Sequence, residues 1–478
     1  LKARVEAIAT SSSSPEERLL ASLRLVQEEV RYLGIEIGPY SRQPTLPAKV
    51  WARRFGDCKD KALLLTTILQ SLGIDAVPGL VNTEAGKLLD SRQPSPSSFD
   101  HAIVNVRLNG RTYWLDGTRT FQRGSLKNYY NPPFARALVL RPGTSGLEEI
   151  PVTPLTTATT FASERYRIES LTSPVAFTVL TTYTGEDADD MRYQIGQSSL
   201  EKLAKRYLNF YADDNPQIES AAPLQVQDDE SNNTLIVTEQ YSIPNFWKGS
   251  IHDLSADRLV DEVTKPSVSR RVMPLRVKYP LNIRQRIEVE MPHTPYWNDT
   301  SESFHDNAID FQFTSKRSGK SLVFDYSLKT LRDHVPVKEV PQHLATLDSI
   351  FENLGYRVSS DSVGGTSNGS VVGVFVIVIG GIIVVTRILP RRRKWFQRRF
   401  VSRQGEDPAT AIGVADGDEM LRYLQRQSCC AKRFDLDHQP LREETLTFDG
   451  NRITVFRIHC ASCNTSRDVY FKVAERVN

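Results

Sequence analysis

The chain has 478 residues, 40% of them apolar, and a formal net charge of +3. That length supports about three domains, and the near-balanced charge argues against bulk polyelectrolyte binding. One of the five cysteines, Cys58, precedes residue 429, so no intramolecular disulfide can form before that point.

The chain begins at Leu1 with no Met, charged leader or apolar leader core, so an upstream segment is expected, and residues 1–14 are read as its exit linker. Ser14, Pro15 and Glu17 form a helix start with a capping box, leading into Leu19, Leu20, Leu23, Val26 and Val30. This helix opens a domain assigned to residues 15–150.

A second helix follows Gly56-Asp57-Cys58-Lys59-Asp60. Leu63, Leu64, Leu65, Ile68, Leu69 and Leu72 make a wide apolar stripe, and Gly73 ends it as a left-handed cap. Asp57 is a good N-cap and Asp60 stands at the third helical position. Cys58 therefore sits in the first turn, where free backbone N–H groups favour an anion. A helix terminus is worth at most ~2 kcal/mol, or ~1.5 pKa units. Catalytic thiols paired with His drop from about 8.5 to about 3 to 4, so a nearby imidazolium has to supply most of the shift.

Residues 101–108 and 111–116 are strand-like and joined by Asn109-Gly110, a strong hairpin signal. A type I′ turn there sets Leu108 opposite Arg111 and Ile103 opposite Asp116. Side chains alternate with period two, so His101 shares a face with Ile103 and becomes a diagonal neighbour of Asp116. Cys58, His101 and Asp116 are thus candidates for nucleophile, base and orienter. The backbone N–H of Cys58 is one candidate oxyanion donor, with Gln43 or Trp51 as the second; Trp51 is also readable as a core aromatic.

Arg53-Arg54-Phe55-Gly56-Asp57-Cys58-Lys59-Asp60-Lys61-Ala62, Phe99-Asp100-His101-Ala102 and Tyr113-Trp114-Leu115-Asp116 together resemble the core of bacterial transglutaminase-like proteins of the papain superfamily, over about residues 16–145. The resemblance implies an α+β core, a helix packed on a small antiparallel sheet, with a triad on Cys58, His101 and Asp116. It also implies an N-terminal β-sandwich domain upstream. Many relatives have Pro after the Asp; Gly117 stands here, which leaves the triad intact. The family includes transferases, peptidases, amidases and inactive copies, so it does not fix the reaction.

Residues 160–355 read as an antiparallel β-rich extracytoplasmic domain. Strands are expected at 165–169, 176–183, 234–243, 283–289, 309–314 and 322–328, with helices at 188–211 and 340–354. His252, His293, His305, His334 and His343 are read as exposed or structural rather than as ligands. A Gly/Ser-rich linker, 359–370, follows.

Residues 370–389 are apolar until Arg387 and long enough as a helix to cross a bilayer, spanning ~30 Å. The basic residues after it, Arg391 to Arg399, fit the positive-inside rule and an anionic lipid surface better than nucleic acid. The expectation is a single-pass protein of the inner (plasma) membrane, with Cys58 on the periplasmic side and residues 390–478 cytoplasmic. In that tail, strands at 444–448 and 452–458 turn at Asp449-Gly450, and Cys460-Ala-Ser-Cys463 is one metal-knuckle half. With Cys429 and Cys430 this resembles a zinc ribbon; a small β-hairpin domain with free thiols is the other reading. No cofactor is expected for catalysis.

The combined expectation is a membrane-anchored cysteine enzyme acting on amide bonds of peptides or proteins outside the cytoplasm, as hydrolase or acyltransferase. The alternative is an inactive transglutaminase-like fold that binds a peptide or partner.

Overall fold

The computed structural model describes residues 1–34, 42–152, 154–266 and 271–360 in full and, beyond 360, the backbone of short strands. It has two compact units, residues 1–263 with 271–390, and 264–270 with 391–478. Both the 15–150 and the 160–355 regions belong to the first unit, a mixed assembly of helices and largely antiparallel sheets.

The unit opens with helix α1 (Lys2–Ser11), where a linker was expected. Ile8 is buried, with Leu1 and Val5 packed beside it, so one apolar face of this segment joins the core. Helix α2 (Pro15–Glu29) starts on Ser14, whose hydroxyl accepts the Glu17 N–H. The Glu17 carboxylate returns to the N–H and hydroxyl of Ser13, one residue earlier than the expected capping box.

Helices α3 (Pro47–Arg53) and α4 (Cys58–Ser71) follow, and Gly73 takes φ 77° after α4 as its position predicts. An antiparallel sheet then forms from β1 (Asp75–Val81), β2 (His101–Leu108), β3 (Arg111–Leu115), β4 (Arg136–Val139) and β5 (Glu148–Glu149). Its order is β3-β2-β1-β4-β5. Leu19, Leu23, Val26, Leu64, Leu65 and Ile68 cover one face, meeting Ala102, Val104 and Val106. The alternate residues Ile103 and Trp114 pack on the other face with Val139 and Phe134.

The second region is built on a nine-stranded sheet. Strands β6 (Thr160–Arg167) and β7 (Val175–Thr184) form a hairpin, and helices α5 (Glu186–Gln197) and α6 (Leu200–Ala212) follow. One helix was expected over 188–211; it divides because the Ser199 hydroxyl accepts the Lys202 N–H and starts a new helix. Then come β8 (Gln225–Asp229), β9 (Thr234–Ile243), β10 (Asn282–Glu290), β11 (Thr300–His305), β12 (Ile309–Ser318), β13 (Ser321–Thr330) and α7 (Val340–Glu352). The order β9-β7-β6-β10-β13-β12-β11 contains one parallel pair, β6 with β10, and both β8 and the short strand Glu219–Ser220 pair with the outer side of β9 to complete the nine. His252 and His343 are buried and structural, their Nδ1 atoms 2.8 Å from Phe246 O and Asp306 Oδ2.

Over 370–389 the structure differs from the expected helix. Phe375–Ile379 and Ile382–Thr386 are strands, paired antiparallel with Ile379 opposite Ile382. Ten Val, Ile, Phe and Thr residues fill them, and β-branched side chains favour extended backbone. The rest of 370–389 and the basic run lie outside the described residues. No helix among the described residues is long and apolar enough to cross a membrane.

In the second unit, Arg442–Phe448 pairs antiparallel with Asn451–Cys460, and Phe448 faces Asn451 across Asp449-Gly450. That is the expected hairpin. Thr465–Val473 adds to it. The side chains of Cys429, Cys430, Cys460 and Cys463 lie outside the described residues, and the zinc expectation with them. Among the described residues, no group of three or more His, Cys, Asp or Glu is placed to hold a metal.

Candidate active site

Cys58 is the first residue of α4 and is half-buried. Asp57 caps the helix, its Oδ1 accepting the Asp60 N–H at 3.2 Å, while Lys59 donates to its other oxygen. Asp60 is buried and accepts from Thr45 N at 2.7 Å and from Arg53 Nη2 at 2.6 Å. One carboxylate thus ties the loop before α3, the end of α3 and the first turn of α4 together. A Cβ on Gly56 would lie 2.7 Å from Asp60 Cβ and 3.2 Å from Val50 Cγ1. Only glycine fits this close approach without something shifting.

The hairpin carries the other two groups. Leu108 faces Arg111, with Asn109 at φ 50° and Gly110 at φ 71°, the left-handed pair that a type I′ turn needs. Val104 faces Leu115, which brings Ile103 opposite Asp116 at the end of β3. His101 Nε2 then lies 3.0 Å from Asp116 Oδ2. Cys58, at the start of α4, is near enough to the same ring to influence its proton affinity. Nε2 is engaged by Asp116, which leaves Nδ1 as the ring nitrogen without a side-chain hydrogen bond among the described residues.

Burial alone would push the His101 pKa down. The bond that Asp116 accepts from the ring, the influence of nearby Cys58, and then their charges outweigh it and raise the ring to about 10. Burial likewise favours the neutral form of Asp116. The bond to His101 and its charge, with the Thr118 hydroxyl and N–H on Oδ1 at 2.6 and 2.8 Å, hold the carboxyl below its usual range. Both shifts favour an imidazolium paired with a carboxylate.

No family model and no curated protein matches this chain. Among solved structures, a "putative protease" from Parabacteroides distasonis is similar with TM-score 0.46 and 11% identity, over 75% of this chain. The chain spans 55% of the length of that structure.

The two side-chain oxyanion candidates lie apart from these three residues in the hydrogen-bond pattern. Trp51 belongs to the core, 9% exposed, with the Arg54 guanidinium 3.6 Å above its ring. Gln43 is exposed in the turn before α3. Neither is hydrogen-bonded to Cys58, His101 or Asp116 among the described residues. That leaves the backbone N–H of Cys58, in the first turn of α4, as the candidate donor.

Sequence reasoning passed over the groups that frame Asp116. Gln27 Nε2 donates to the Asp116 carbonyl at 2.9 Å, and Asp116 N donates to the Tyr129 hydroxyl at 3.4 Å. The Phe134 ring stands 5.7 Å from the His101 ring. The one available signal was polar residues inside apolar helix stripes, Gln27 between Val26 and Val30, and Lys61 before Ala62.

Proposed function

We propose that this chain is a thiol enzyme that cleaves amide bonds through a thioester on Cys58. The observation that carries the reading is the His101 imidazole, held by Asp116 at 3.0 Å on Nε2, with Cys58 at the start of α4 near enough to influence the same ring. The resemblance to transglutaminase-like proteins supports it.

In this reading the Cys58 sulfur, as the anion, attacks the substrate carbonyl carbon while first-turn N–H groups receive the developing oxyanion. The C–N bond breaks as His101 passes its proton to the departing amine, leaving a thioester and a neutral ring. Water or a second amine then gives its proton to His101 and attacks the thioester, and the sulfur leaves as the anion. Asp116 keeps the ring oriented and stabilises its charged form throughout.

The test is mass spectrometry of the purified chain with a mixed peptide pool, with and without a primary amine. Shortened or deamidated peptide identifies a hydrolase, and an amine adduct identifies an acyltransferase. Unchanged peptide in both arms rejects the enzyme and leaves a peptide- or partner-binding module.

Two placements rest on sequence alone. The apolar run 370–389 and its basic flank support membrane anchoring with the Cys58 side outward, tested by protease shaving of spheroplasts. The spacing of Cys429, Cys430, Cys460 and Cys463 supports zinc in the tail, tested by metal analysis of the purified chain.

A further inference from the structure

Lys61 is fully buried, although no step of the proposed chemistry uses it. Burying an ammonium is costly unless polar groups surround it, so its partners show what it is there to hold. Its Nζ donates to the carbonyl of Gln27 at 3.4 Å and to that of Val30. Gln27 lies in the last turn of α2 and Val30 is its C-cap, where helix carbonyls lack partners and carry the negative end of the dipole. The Asp116 charge also favours the ammonium.

The same region reaches Asp116 directly. Gln27, 1% exposed, donates from Nε2 both to Asp116 O at 2.9 Å and to Gln122 Oε1 at 2.8 Å. A Cβ on Gly117 would lie 3.6 Å from Lys61 Cβ and 3.5 Å from Val26 Cγ1, so the turn after Asp116 rests on the Lys61 stem. Lys61 stands three residues after Cys58 on α4. One buried side chain therefore joins the helix of the nucleophile, the end of α2 and the turn of the orienter.

We propose that Lys61, through α2 and Gln27, is a positioning residue that sets the Asp116 turn against the Cys58 end of α4, so that His101 is held between sulfur and carboxylate. The proposal rests on the triad reading above. Its alternative is a lysine that only fills space, in which case an apolar side chain of similar length serves equally well.

The experiment is the rate of Cys58 alkylation by iodoacetamide across pH, in the full chain and in Asp116→Ala, Lys61→Met, Gln27→Leu and Lys61→Met/Asp116→Ala, with circular dichroism confirming the fold of each. Asp116→Ala is expected to slow alkylation at about pH 6.5 by about tenfold or more, and Lys61→Met and Gln27→Leu by at least about threefold. The double variant is expected to be no slower than Asp116→Ala, since Lys61 acts through that residue. Folded Lys61→Met and Gln27→Leu that alkylate at the wild-type rate at every pH overturn the proposal and leave the triad standing. If Lys61→Met does not fold, Gln27→Leu alone decides. A wild-type rate in Asp116→Ala rejects the triad reading itself, and the positioning role falls with it.

Discussion

His101 Nε2 lies 3.0 Å from Asp116 Oδ2 across the end of a hairpin whose register is fixed by Asn109 and Gly110. Period-two alternation makes this pairing all or nothing: a slip of one residue would put the two side chains on opposite faces.

Replacing Asp116 by Asn keeps the shape and removes the charge that helps hold the proton on His101. The expected outcome is a fall of at least about tenfold in Cys58 alkylation near neutral pH, equivalent to ~1.4 kcal/mol of lost stabilisation. Timed alkylation followed by peptide mapping measures it.

The raised His101 pKa gives stability a defined pH dependence. The unfolded ring loses its proton near 6.5, the folded ring at about 10, so the folded state binds more protons between those values. Its contribution is complete below pH 6.5 and is lost as pH rises through about 10. Lys61 acts in the opposite sense. Burial lowers it from 10.5 to about 8, so the unfolded chain binds more protons in that window and stability there is gained with pH. With Cys58 replaced by Ala, so that the ring's proton alone is counted, urea unfolding midpoints are expected to fall from pH 6.5 to 8, and adding His101→Ala to flatten that fall.

Gly56 and Asp60 lock the approach to Cys58. Gly56→Ala places a carbon 2.7 Å from Asp60 Cβ and is expected to cost ~1 to 3 kcal/mol, read as a lower melting temperature. Asp60→Ala leaves Arg53 and Thr45 N without their acceptor and is expected to cost ~3 kcal/mol. Limited proteolysis is expected to cut near residue 45 in Asp60→Ala before it does so in the wild type.

Much of the site was legible because its signals are local. The Asp57 cap, the leucine stripe of α4 and the Asn109-Gly110 turn each specify backbone over a few residues, and the hairpin register then follows by counting. What was not legible depends on chain distant in sequence. Lys61 meets Val30, Gln27 meets Asp116, and β6 pairs parallel with β10 more than one hundred residues later. The run at 370–389 shows the limit of composition: its length suits a spanning helix, whereas its Val and Ile content suits the paired strands Phe375–Ile379 and Ile382–Thr386. The break at Ser199 was readable in principle, since Ser-Ser before Leu200 is a capping signal inside an otherwise helical pattern.

The central claim is an imidazolium beside the Cys58 sulfur, and the ¹⁵N spectrum of the His101 ring tests it most directly. A ring with a folded pKa of about 10 is expected to carry protons on both nitrogens at about pH 7.5, and to lose part of that preference in Cys58→Ala. A neutral His101 ring at that pH in the wild-type protein would contradict the account.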